Sequence, residues 1–176
     1  MAKKIIKIGL VGAGMFGGDV HLRTYADLQR NGIVPWLGRI GMDDWARASA
    51  DIECELVGVC TRSETSAQRV SEEYKNLTGN EIEPFHGETP WLDLFEKFPD
   101  LDVLAVATPD NLHTLPTLAA LKNGIHVVME KPMTLDINEA DEIIKLSKEK
   151  ELLVGLDMHK RYDPDHLKIF TELINE

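Results

Sequence analysis

The chain has 176 residues, 43% of them hydrophobic and 28% charged, and a formal net charge of −11. That length fits one globular domain with a short appendage, and a chain of this size buries roughly 70% of its unfolded surface without disulfide help. The composition excludes a disordered chain, a collagen, a coiled coil and a disulfide scaffold, and the acidic balance argues against nucleic-acid or anionic-membrane partners.

The charge is uneven. The first fifty residues carry seven Lys and Arg against four Asp, which suits either a phosphate ligand or a solvated helix face. Cys54 and Cys60 have no CxxC partner and read as reduced, buried thiols rather than as a disulfide or metal pair. No apolar run approaches the roughly 20 residues of a membrane span. The opening MAKKIIKIGLVGAGMFGG is interrupted by Lys7 and by Gly9, Gly12, Gly14, Gly17 and Gly18, so it reads as strand and turn rather than signal peptide. A cytoplasmic location is expected.

The first apolar run, residues 5–11, leads into Gly12-Ala13-Gly14-Met15-Phe16-Gly17 and then a helix holding His21, Tyr25 and Leu28. Residues 33–52 follow where a short connection is expected, and Pro35 and the glycines argue against one long helix there. This insertion reads as a structured unit packing Trp36 and Trp45, or as an interface or active-site flap. A second run at 56–60 precedes a helix at 65–77 that stops before Gly79, and a weaker run lies at 82–86. After the run at 103–107, Leu115, Leu118, Ala119 and Lys122 form a helix stopped by Asn123-Gly124. The run at 125–129 is followed by a capping-box sequence, Asp136-Ile137-Asn138-Glu139, with Ile137, Ala140, Ile143, Ile144 and Ser147 on one face. A last run spans 152–156. Runs rich in Val, Ile and Leu that do not alternate with polar residues are strands covered on both faces, so the expected fold is α/β, a doubly wound parallel sheet (Rossmann) of about six strands.

A GxGxxG placed between a strand and a helix points to a dinucleotide. Gly12 permits the tight turn, Gly14 lets the backbone approach a pyrophosphate, and Gly17 permits close packing, with Met15 and Phe16 in the same turn. Free N–H groups and the helix dipole favour the phosphate charge. At the end of the second strand, where an acid would bond the adenine ribose, stand Thr61, Arg62 and Ser63. Neutral donors and a cation suit a 2′-phosphate, so NADP(H) is expected over NAD(H).

Asp102-Val103-Leu104-Ala105-Val106-Ala107-Thr108-Pro109 runs into Asp110-Asn111-Leu112-His113, and Gly124-Ile125-His126-Val127-Val128-Met129-Glu130-Lys131-Pro132 follows one helix later. With the glycine turn, these motifs resemble the Gfo/Idh/MocA oxidoreductase family, which includes glucose–fructose oxidoreductase and inositol 2-dehydrogenase. The resemblance implies that Thr108, Pro109, Asn111 and His113 lie along the cofactor and that Glu130 reaches the nicotinamide ribose. It implies that Lys131 is the catalytic residue facing the reacting carbon, and that Pro132 fixes the turn, often as a cis peptide. The chemistry is consistent: hydride transfer from a carbinol needs a group that takes the hydroxyl proton or stabilises the developing oxyanion. His159, Lys160 and Arg161 become substrate-side candidates, with an ordinary basic surface loop as the other reading. No metal-ligand spacing and no GxSxG elbow are present.

By the same resemblance, residues 1–157 are an NAD(P)-binding domain with the 33–52 insertion. Residues 158–176 are then a crossover segment and the first helix of a second domain that is largely absent. That domain normally supplies a small-molecule substrate pocket, a further Asp/His pair and the interface of a homo-oligomer. The expected function is NAD(P)-dependent hydride transfer at a sugar, polyol or cyclitol carbon. The alternatives are a standalone dinucleotide-binding module or sensor without turnover, and a Rossmann-like methyltransferase, against which Glu130-Lys131-Pro132 counts.

Overall fold

A computed structural model describes residues 3–174. Its six strands are β1 (Lys4–Val11), β2 (Ile52–Thr61), β3 (Glu83–His86), β4 (Val103–Val106), β5 (His126–Glu130) and β6 (Val154–Asp157). They pair in parallel in the order β3-β2-β1-β4-β5-β6. The order reverses between β1 and β4, and such a reversal opens a crevice at the carboxyl ends of the strands where ligands bind. All six apolar runs are therefore strands, each within a few residues of its expected bounds.

A π-helical turn, Gly17–Leu22, leads into α1 (Arg23–Asn31). The later helices are α2 (Val34–Arg39), α3 (Asp43–Ala48), α4 (Glu64–Thr78), α5 (Pro90–Lys97), α6 (Thr114–Lys122), α7 (Ile137–Lys150) and α8 (Pro164–Ile174). The Ser63 hydroxyl caps α4 by accepting from the Ser66 N–H at 3.3 Å, and Gly79, at φ 80°, closes it. Asp136 caps α7 by accepting from the Asn138 N–H at 2.7 Å. Glu139 does not complete the expected capping box. It accepts from Thr114 Oγ1, at the start of α6, at 2.6 Å instead.

The core forms two layers, one on each face of the sheet. Ile8, Leu10, Leu56, Val59 and Ala105 face Leu22, Ala26, Val70 and Tyr74 of the α1 and α4 side. Val11, Val57, Cys60, Leu104, Val106, Val127 and Met129 face Leu94, Phe95, Leu118, Leu121 and Ile143 of α5, α6 and α7. A register shift near Val57 puts Leu56 and Val59 on the same face, so a simple alternation along β2 fails there.

Helix faces depart from the sequence reading more than strands do. α6 packs on β4, β5 and α7 together, so it buries Pro116, Thr117, Leu118, Ala120 and Leu121 while Leu115 is exposed. α7 buries Ile143 with Leu146 partly covered, and Ile137 and Ile144 are exposed, because one neighbouring helix covers only a narrow seam. Tryptophan packing in the insertion is also corrected. α2 and α3 pack on each other, but Trp36 and Trp45 are exposed and Ala46 is the buried residue of the pair. Trp36 instead donates its N–H to Asp27 Oδ2 at 2.8 Å and carries the Arg39 guanidinium 4.5 Å from its ring centre. An indole served by polar partners needs no burial. Cys54 and Cys60 are free thiols, both pushed up by burial, and no described helix is long and apolar enough to cross a membrane.

Candidate dinucleotide site

The carboxyl end of β1 continues into the glycine turn, where the three glycines answer different demands. Gly12 has φ 93°, and a Cβ there would stand 2.4 Å from the Ala107 carbonyl oxygen and 2.7 Å from the Thr108 nitrogen. Its N–H donates to the Cys60 carbonyl at 2.9 Å, which ties the turn to β2. A Cβ on Gly17 would stand 2.1 Å from the Gly12 carbonyl oxygen, so Gly17 serves the turn's own backbone. Gly14 is exposed, has no left-handed φ, and a Cβ there would meet nothing within 4 Å. Neither backbone conformation nor internal packing needs a glycine at that position. Met15 and Phe16, the next two residues, are exposed at the helix start.

At the end of β2, the Thr61 side chain is buried and its hydroxyl donates to the Ser63 carbonyl at 2.8 Å, so its proton is committed locally. The Ser63 hydroxyl is occupied with α4. Arg62 is exposed and has no ion-pair partner among the described residues. Of the three expected contacts it is the one with free donors.

Across the crevice, Pro109 and Asn111 are exposed, with Asn111 in a short 3₁₀ turn, Asp110–Leu112. The Thr108 hydroxyl is buried without a partner among the described residues. His113, expected along the cofactor, is fully buried. Its Nδ1 lies 2.8 Å from the Pro132 carbonyl oxygen and its Nε2 lies 2.9 Å from that of Thr108. Both ring nitrogens thus face main-chain carbonyls, and the residue tethers the β4 turn to the β5 turn. The Lys131–Pro132 peptide is cis.

Lys131 is exposed, with Nζ 5.9 Å from the centre of the Phe16 ring, and that ring lies 6.1 Å from the ring of His159. The ends of β1, β5 and β6 therefore bring Phe16, Lys131 and His159 together. Lys160 turns to Asp163, at 3.4 Å, and Arg161 is exposed. Of the three basic candidates, His159 is the one that shares Phe16 with Lys131.

Two polar contributors, buried His21 and partly buried Asp157, had no assigned role in the sequence reading. His21 Nε2 lies 2.9 Å from Glu130 Oε1 and 4.0 Å from Asp157 Oδ2, so the two residues join Glu130 in a cluster across β5, β6 and the π-turn. The His21 ring stands 6.1 Å from that of Tyr25, and burial, with the negative charge of Asp157 and Glu130, pushes the Tyr25 phenol up. Among the described residues this is the one His, Cys, Asp and Glu group close enough to share a metal ion, its donor atoms lying within 4.8 Å of one another. The available signal was a histidine four residues before Tyr25 on the helix opened by the glycine turn. Glu130 was expected at the nicotinamide ribose, and one of its oxygens is held by His21.

Residues 6–158 match the GFO_IDH_MocA family, described as an oxidoreductase family with an NAD-binding Rossmann fold. The chain is 25% identical over 175 residues to D-glucoside 3-dehydrogenase of Escherichia coli, a match covering 99% of this chain and 41% of that protein. Over 78 residues it is 38% identical to scyllo-inositol 2-dehydrogenase (NADP(+)) IolW of Bacillus subtilis, covering 44% of this chain and 22% of the relative. Among solved structures, UDP-N-acetylglucosamine 3-dehydrogenase GnnA of Acidithiobacillus ferrooxidans superposes with a TM-score of 0.69 at 22% identity. That match covers 96% of this chain and 42% of that one. The chain thus spans about two fifths of the length of relatives matched along its whole extent. It belongs to the Gfo/Idh/MocA oxidoreductase family.

Proposed function

We propose that this member of the Gfo/Idh/MocA oxidoreductases is the dinucleotide-binding part of an enzyme acting on a sugar, polyol or cyclitol carbon, with NADP(H) preferred over NAD(H). The observation carrying the dinucleotide reading is Gly14, a glycine that the fold itself does not need, exposed between two glycines that it does. Keeping that position bare leaves room for a pyrophosphate to lie against the helix start, where unpaired N–H groups and the helix dipole favour anionic oxygen.

Gly12, Gly14, Met15, Phe16 and Gly17 form the phosphate cradle, and Arg62 supplies the cation for a 2′-phosphate. Thr108, Pro109 and Asn111 border the crevice beyond the pyrophosphate. His113 acts by holding the Thr108 and Pro132 main chain in place. Glu130 keeps one carboxylate oxygen for a ribose hydroxyl. When bound, the nicotinamide gives or accepts a hydride. Lys131, exposed beside Phe16, moves the proton at the substrate oxygen or stabilises negative charge there. The substrate class is supported by what the relatives are named for, glucoside, inositol and UDP-sugar dehydrogenases. The NADP(H) preference is supported by Arg62 and by the NADP(+) designation of the inositol relative. The two free thiols fit a reducing, cytoplasmic compartment.

Fluorescence titration of the chain with NADPH and NADH tests this reading. The expected result is saturable binding with NADPH tighter. Arg62→Ala is expected to weaken NADPH about tenfold, the size of one lost charge-assisted hydrogen bond, and to leave NADH within about twofold. An NADPH to NADH ratio that does not move with Arg62→Ala removes Arg62 from cofactor choice.

A further inference from the structure

Of the cluster at His21, only Glu130 is used by the cofactor contacts above, and the placement of His21 is unusual. His21 sits in the π-helical stretch Gly17–Leu22, directly after the glycine turn. π-turns inside helices are rare and concentrate at functional sites. His21 and Glu130 are both about nine-tenths or more buried, and Asp157 pairs with Glu130 in register at the ends of β5 and β6. The polar atoms therefore join the phosphate-facing turn of β1 to the residue immediately before Lys131.

We propose that His21 is a positioning residue for the nicotinamide half of the site. Its Nε2–H donates to Glu130 Oε1 and so aims Oε2 at the ribose and holds the Glu130–Lys131 segment in register with the glycine turn. This inference rests on the dinucleotide reading above. The geometry favours a direct hydrogen bond over a shared metal ion. The His21 to Glu130 distance is 2.9 Å, whereas two ligands on a tetrahedral zinc, each roughly 2.0–2.1 Å from the ion, stand about 3.3 Å apart. A buried carboxylate held at one oxygen by a fixed donor loses its rotational freedom before the ligand arrives, and such preorganisation raises affinity without adding a ligand contact.

The test separates the two halves of the cofactor. Dissociation constants of the purified chain are measured for NADPH and for 2′,5′-ADP, which carries the adenine-side phosphates and lacks the nicotinamide ribose. If NADH binds tighter than NADPH, NADH and ADP replace them. His21→Leu is expected to weaken NADPH about tenfold and leave 2′,5′-ADP within twofold, and His21→Gln, which keeps an N–H donor, is expected to recover most of the loss. His21→Leu/Glu130→Gln should bind NADPH no more weakly than Glu130→Gln alone. If His21→Leu does not fold, His21→Asn, whose shorter amide does not reach Glu130 from the Nε2 position, takes its place with the same expectations.

Equal weakening of NADPH and 2′,5′-ADP overturns the proposal in favour of a general role in the glycine turn. Unchanged NADPH binding, or additive effects of the two substitutions, overturns it as well. A chelator that weakens NADPH binding of the wild type as much as His21→Leu does replaces the hydrogen bond by a metal ion. A folded wild type that binds neither ligand overturns the dinucleotide reading beneath it, an outcome distinct from all of these.

Discussion

The two halves of the sheet finish their ligand-facing ends with different kinds of contact. On the β1–β3 side, Thr61 and Ser63 settle with partners two or three residues away and Arg62 stands free in solvent. On the β4–β6 side, Lys131 and Asn111 are exposed, but Glu130 and His113 are buried and meet partners distant in sequence. His21 and Glu130 are 109 residues apart, and His113 bridges to Pro132 19 residues on. The first arrangement leaves Arg62 replaceable without disturbing the fold. In the second, the atoms that shape the site also hold the chain together, so substitutions there affect both.

Where the halves meet, Gly17→Ala forces a Cβ to within 2.1 Å of the Gly12 carbonyl oxygen. It should either prevent folding or cost about 3–5 kcal/mol in urea unfolding, and a Gly17→Ala variant of undiminished stability would show that the turn can relax. His113→Ala strips the β4–β6 side of a fully buried ring and of the N–H it donates to the Pro132 or Thr108 carbonyl. A loss of about 2–4 kcal/mol is expected, together with faster amide exchange in residues 108–113. Gly14→Ala should leave the melting temperature within about 2 °C, since the new methyl meets nothing. It should nevertheless weaken dinucleotide binding at least about tenfold, as seen by titration. If stability and binding fall together, the distinction between fold-serving and ligand-serving glycines is wrong.

The smallest effect lies outside both halves, at α8. His166, through its side chain and N–H, and then Lys160 hold Asp163 down to about 2, below the usual carboxylate value. A depressed carboxylate contributes stability that is complete above its unfolded value and fades as acid protonates the folded group. The start of α8 should therefore loosen between about pH 4 and pH 2. Asp163→Asn should abolish that step in the His166 amide signal while leaving the glycine turn unaffected.

Strand positions, the glycine turn, the Ser63 and Asp136 caps and the stop at Gly79 were legible because each depends on near neighbours. A run of apolar residues, a side-chain oxygen before a helix, or a residue free of Cβ strain acts over a few positions. Helix faces were less legible. The reading of α7 put Ile137 and Ile144 on the same face as Ile143, whereas Ile143 is buried and both of the others are exposed. Which stripe of a helix is buried depends on how many neighbours cover it, and the hydrophobic spacing does not specify that. The tryptophans of the insertion failed for the same reason: their size suggested burial, but α2 and α3 have too little surface to cover them.

The candidate site divides along the same line. Gly12, Arg62 and Lys131 could be located from strand ends and motif order, since a parallel sheet gathers those ends at one edge. That His113 tethers two turns, that His21 holds Glu130, and that Gly14 alone of three glycines is free of internal demands became visible only in three dimensions. By itself the sequence determined the succession of strands and the strand ends that carry the glycine turn and the Glu130-Lys131-Pro132 turn, through backbone and burial preferences acting locally. The tertiary structure decided which polar groups at that edge remain available to a ligand. Parallel crossovers bring together side chains up to 109 positions apart, and a buried donor bonds the acceptor that packing places beside it.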